Sequence, residues 1–167
     1  MIIIRLSKAL CVAAMGLFCT LVVFGNLSDY DTNFAFVRHV LLMDTIFPDA
    51  TISYRAIKSP ALHHLAYGLI IAIEAAVALL CWIGAAVMFA QRRGSAQAFN
   101  QAKAVAIAGL TMGFLLWQVG FITIGGEWFG MWMSAKWNGV HSAFRLLMTT
   151  VAVLIFVALP DGEPAGQ

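Results

Sequence analysis

Charge is what this sequence has least of: 11% of its 167 residues are charged and 62% are hydrophobic. A soluble domain carries about 25% charged residues, so the chain falls far short of an ordinary water-facing surface. A bilayer as solvent accounts for the deficit. The net charge of +2, with no stripe of clustered Lys and Arg, gives no footing for nucleic acid. Cysteine is scarce too. Cys11, Cys19 and Cys81 each lie inside an apolar run, with no C-x-x-C or other metal spacing, which leaves them as small hydrophobes. Also missing is a small-x-small cleavage site after the apolar opening "MIIIRLSKALCVAAMGLFC", and neither Cys11 nor Cys19 follows the small residue of a lipoprotein site. The opening therefore reads as a retained first span.

What is present is long apolar runs. About 20 apolar residues carry a helix across the hydrocarbon core, and the runs Ile4–Gly25, Ala61–Ala90, Ala102–Ile124 and Val140–Leu159 qualify. They are continuous rather than alternating, which excludes a barrel and predicts an all-α, four-transmembrane-helix bundle. Residues 1–167 then form a single membrane domain. Arg5, Lys8, Arg92, Arg93 and Lys103 flank one side of these runs. By the positive-inside rule that side is cytoplasmic, with both termini inside.

The outer loop from Asn26 to Ser59 contains "TNFAFVRHVLLM", with Phe34, Val37 and Leu41 at helical spacing after Thr32 or Asn33 as a cap. This predicts a short amphipathic helix that either lies on the membrane as an interfacial helix or closes the bundle. "FPDATISYRAIKSP" reads as extended chain, ending at Ser59-Pro60, a helix start with proline in its favoured first position. "NLS" at Asn26 matches a glycosylation acceptor but abuts the membrane. Small residues pack helices in lipid. Ala102, Ala106, Gly109, Gly113 and Gly120 supply such a stripe on the third span, with Ala9, Ala13 and Gly16 on the first and Ala72 and Ala76 on the second. The stripes serve packing within the chain or a homo-oligomer interface.

An ionisable group inside a membrane is a functional candidate by default. Glu74 falls about 20 Å along the second span from Pro60, near or past mid-membrane. His63, Tyr67 and Glu74 share one helical face, and His141, Arg145 and Thr149 form a row on the fourth span. With Gln118 on the third span, these rows suggest a polar track that opens outside at the histidines and narrows toward Glu74. Arg145 is expected to lie about 10 Å from Glu74 in depth, and so to pair with Glu127 or the loop, or to snorkel. Glu74 then serves as a site or as a protonated structural acid. His39, His63, His64 and His141 all map to the outer side. A haem or a divalent metal would use such residues, although His63 and His64 diverge by about 100° on a helix. No cofactor is predicted.

Between the last two runs lies "GGEWFGMWMSAKWNG". Trp128, Trp132 and Trp137 belong where apolar bodies meet headgroups, so interface chemistry explains them without catalysis. Gly125 and Gly126 would permit a sharp exit from the third span, and Asn138-Gly139 the turn into the fourth. Glu127 is not explained by the interface; its candidate partner is Arg145 or a ligand.

The stretches "NLSDYDTNFAFVRHVLLMDTIFP", "SPALHH" with Glu74 downstream, "GGEWFGMW" and "WNG" resemble a family of predicted small integral membrane proteins from bacteria, a domain of unknown function. The resemblance runs over nearly the whole chain. It implies a bacterial inner-membrane address and four helices, and it brings no activity, cofactor or catalytic residue. The sequence favours a non-enzymatic accessory, scaffold or interaction subunit, as a homo-oligomer or within a larger membrane complex. The alternatives are transport, proton or small-ligand binding through the track ending at Glu74, or a redox subunit associated with haem or quinone.

Overall fold

A computed structural model describes residues 2–162. The elements are α1 (Ile2–Ser28), α2 (Tyr30–Leu42), α3 (Pro60–Ala90), α4 (Ala96–Ala102), α5 (Ala104–Leu115, prolonged as a π-helix over Leu116–Trp128) and α6 (Val140–Ala158). Short 3₁₀ turns lie at Ser53–Arg55 and Met131–Met133. Among the described residues, Ile2–Ser28, Pro60–Ala90, Ala96–Trp128 and Val140–Ala158 are the four helices long and apolar enough to cross a membrane.

The small residues decide how the bundle packs. A Cβ on Gly84 would lie 2.6 Å from the backbone nitrogen of Ala106, and one on Gly109 would lie 2.8 Å from Leu80. α3 and α5 therefore meet backbone to backbone, as association in lipid requires. On the other side of α3, Gly16 of α1 sits against Trp82 and Cys81. The expected stripe on the third span is thus spent within the chain at Ala102, Ala106, Gly109 and Gly113, while Gly120 stands apart and only half-buried. Ala72 and Ala76 are not the packing face of α3. That face carries Val77, Cys81, Gly84, Ala85 and Met88, because α3 lies between α1 and α5 and must fit both.

Antiparallel α1 and α3 keep one register: Gly16 meets Trp82, and Asn26 meets Glu74. Past a break at Asp29, α2 continues it, with Phe34 stacked on His64 and the Ile57 amide donating to the Leu41 carbonyl. α2 is thus an extension of α1 alongside the start of α3. Its buried Val37 and Leu41 join Tyr67, Ile71 and Phe129 in one core. Of the two expectations for this helix, the contacts match the one that closes the bundle. The following segment is not simply extended, since it turns through Ser53–Arg55.

A cap results at one end. Thr45 and Ser134 share a 2.8 Å hydroxyl hydrogen bond, Arg55 donates to the Trp128 carbonyl at 3.2 Å, and Gly139 presses on the Phe36 ring. Gly125 and Gly126 make no exit: the chain stays helical to Trp128 and turns at Gly130, with φ 64°. The wide π-turns run through both glycines, where no side chain crowds them.

The other end is closed by charge. Lys8 and Lys103 both reach Asp161 at 2.5 Å, and both donate to the Leu159 carbonyl. Arg5 donates to the carbonyls of Arg92, Gly94 and Gly162. Burial alone would push the Asp161 carboxyl up, but hydrogen bonds and charge from Lys103 and Lys8 outweigh it and hold the group below its ordinary value. The final residues, Glu163–Gln167, lie outside the described part.

Candidate functional site

Helix lengths set the depth of each polar group. α6 has 19 residues, about 28 Å at 1.5 Å per residue, which matches a hydrocarbon core of about 30 Å. α3 has 31 residues; Gly113 of α5 faces both Val77 of α3 and Thr150 of α6, so the first turns of α3 stand above the start of α6, beside α2 in the cap. Tyr67 therefore sits near the level where α6 begins, and Glu74 lies about 10 Å below it. Counting from Pro60 places Glu74 too deep, because the first turns of α3 stand outside the slab.

Glu74 is 3% exposed and accepts a 2.8 Å hydrogen bond from Asn26 Nδ2. The Asn26 backbone carbonyl in turn accepts the Tyr67 hydroxyl at 3.0 Å. Tyr67, 2% exposed, meets Tyr30 edge-on with ring centroids 4.9 Å apart. A single asparagine thus joins the acid to the phenol across the α1–α3 interface. Its role is not visible from the glycosylation-like "NLS". The heptad spacing of Val12, Cys19 and Asn26 places the residue on the buried face of α1, without naming its partners.

His63 does not extend this chain outward. Its Nε2 lies 2.7 Å from the Ile57 carbonyl, tying the loop to α3. His64 stacks on Phe34 and its Nδ1 lies 2.9 Å from the Tyr30 hydroxyl, while His39 pairs with Asp44 at 2.8 Å and stacks on Trp137. The histidines are used separately. Among the described residues no group of three or more His, Cys, Asp or Glu is placed to hold a metal ion.

The row on α6 faces away from Glu74. Ala143, Leu147 and Thr150 turn inward, which leaves His141, Arg145 and Thr149 exposed. Arg145 begins about 8 Å below the start of α6, so its depth is close to that of Glu74 rather than far from it. Opposite faces, not depth, separate the two. The Arg145 Nη2 donates to Ser142 Oγ at 3.3 Å, back toward the cap end, as a snorkelling arginine does. The expected Arg145–Glu127 pair is absent among the described residues, because Glu127 ends the π-helix beside Arg55, Thr123 and Trp128. Gln118 is half-buried on α5, and its carbonyl accepts Thr123 Oγ1 at 2.9 Å. A track joining His63, Tyr67, Glu74, Gln118, Arg145 and His141 is therefore not assembled; the structure brings together Tyr67, Asn26 and Glu74.

Of the tryptophans, Trp128 and Trp132 are exposed on the cap, with Trp137 folded onto His39. Neither a curated protein nor a solved structure matches the chain. The apolar helices, their packing through small residues and the tryptophan-bearing cap agree with what a sequence-family comparison finds over residues 4–160: the chain belongs to the predicted small integral membrane protein family DUF2165.

Proposed function

We propose that this protein is a non-enzymatic subunit of a bacterial inner-membrane assembly, with both termini cytoplasmic and the cap outside. One observation carries the reading. α6 presents Arg145 outward from the bundle, its backbone about 8 Å into the slab, where hydrocarbon offers no hydrogen-bond acceptor. A second transmembrane helix bearing a carboxylate or exposed carbonyls would satisfy the Arg145 donors left over by Ser142. Orientation is supported by Arg92 and Arg93 in the short α3–α4 connection.

The test is particle mass after extraction in mild detergent, for the wild type and for Arg145→Leu. The wild type is expected as a complex larger than the 18.1 kDa chain, and the variant as a folded monomer. A wild-type monomer, or a variant complex of unchanged mass, contradicts the proposal. The Glu74–Asn26–Tyr67 chain supports a second reading, proton or small-ligand binding at Glu74.

A further inference from the structure

The π-helix does more than prolong α5. Its wider turns and its glycines, Gly120 and Gly125, leave a cavity of about 190 Å³ between α2, α3 and α5, lined only by apolar residues. Phe36 and Leu41 form its upper part, Ala66 and Ile70 its α3 wall, and Phe121 and Ile124 its α5 wall. Helical register places Ile70 and Phe121 within the apolar slab and Phe36 and Leu41 in the cap, so the groove climbs from the hydrocarbon into the cap. Water would find no polar partners in such a space, and leaving it bare would forfeit the contacts of close packing. At its level the surrounding medium is acyl chains.

The rim has the matching chemistry. Ile124 lines both this groove and a neighbouring cleft formed by Arg55, Thr123, Glu127 and Trp128. The Arg55 guanidinium lies 4.7 Å from the Trp128 ring centre and is steadied by the Trp128 carbonyl at 3.2 Å and the Tyr54 hydroxyl at 3.3 Å. Among the described residues neither Arg55 nor Glu127 is in a salt bridge. A cation and an anion side by side, unpaired, at the mouth of an apolar groove are complementary to a zwitterionic headgroup with its chain attached. An arginine held against an indole still has N–H groups left to present to phosphate.

We infer that the groove and cleft form a binding site for one phospholipid of the ethanolamine class: an acyl chain in the groove, the phosphate on Arg55 and the ammonium on Glu127. The site is separate from the exposed face of α6 and does not depend on the oligomer. It gives Glu127 a ligand where no side-chain partner is found among the described residues.

Native mass spectrometry of the full chain tests it, after exchange into detergent with dioleoyl phosphatidylethanolamine or dioleoylglycerol as probe. One phosphatidylethanolamine is expected per chain, retained at least about tenfold better than the diacylglycerol, as the loss of a charge-assisted hydrogen bond implies. Arg55→Gln should lower retention by a similar factor, and Ala66→Phe, which fills the groove, should abolish it. Equal retention of the two lipids by the wild type overturns the headgroup assignment and needs no variant to fold. Undiminished retention by a folded Ala66→Phe chain overturns the groove.

Discussion

The residue that organises the interior is Asn26. Its side chain satisfies Glu74 and its carbonyl satisfies Tyr67, so one residue makes two of the hydrogen bonds that pin α1 to α3, beside the one from Trp82 to Thr20. Removing the Asn26 side chain leaves a buried acid without its donor, which costs about 1–3 kcal/mol. Asn26→Leu is therefore expected to lower the unfolding temperature in detergent. Glu74→Gln should stay close to wild type, because the amide oxygen accepts the same bond. An Asn26→Leu chain as stable as wild type would show that the contact carries no weight. Glu74 stands out in the sequence as an acid in an apolar run, but its partner does not. Asn26 belongs to a different helix, and pairing across helices depends on a register that a single span does not reveal. Asp161 is a similar case. Its position past the last apolar run gives no hint of a partner, yet its carboxylate bridges Lys8 and Lys103.

Among the elements, α3 is the one the others are built around. Its closest approach is at Gly84, where a Cβ would stand 2.6 Å from Ala106 N and 2.7 Å from its Cα. Backbone cannot give way as a flexible side chain can, so Gly84→Leu should destabilise by about 1–3 kcal/mol or more. Gly68, on the same helix, has nothing within 4 Å of its Cβ position. Gly68→Leu should be neutral, and comparing the two unfolding temperatures checks the claim. Equal effects would mean that α3 and α5 do not meet as described. The spans were legible because continuous apolar length is a strong signal. The π-helix was not, since a shift of hydrogen-bond offset over "LWQVGFITIGGEW" leaves no mark on hydrophobic pattern. The facing of α6 could have been read from Ala143, Leu147 and Thr150 at core spacing. The assumption that polar residues in a span face inward obscured it.

For the whole molecule, the two ends differ in kind. One is drawn shut by Arg5, Lys8 and Lys103 around Asp161 and backbone carbonyls. The other widens into a cap of α2, the 43–59 segment and the 129–139 segment, where the aromatic residues gather. The subunit proposal requires this cap to be outside, and the charge pattern that indicates so is partly structural, since three of the basic residues are buried. Direct labelling removes that dependence. Asp49 is exposed in the cap, and the native cysteines Cys11, Cys19 and Cys81 lie in the spans. An Asp49→Cys chain treated in intact cells with a membrane-impermeant maleimide, with access through the outer membrane where there is one, is expected to be labelled as fully as after lysis. Labelling that appears only once the cells are broken would place the cap in the cytoplasm and contradict the account.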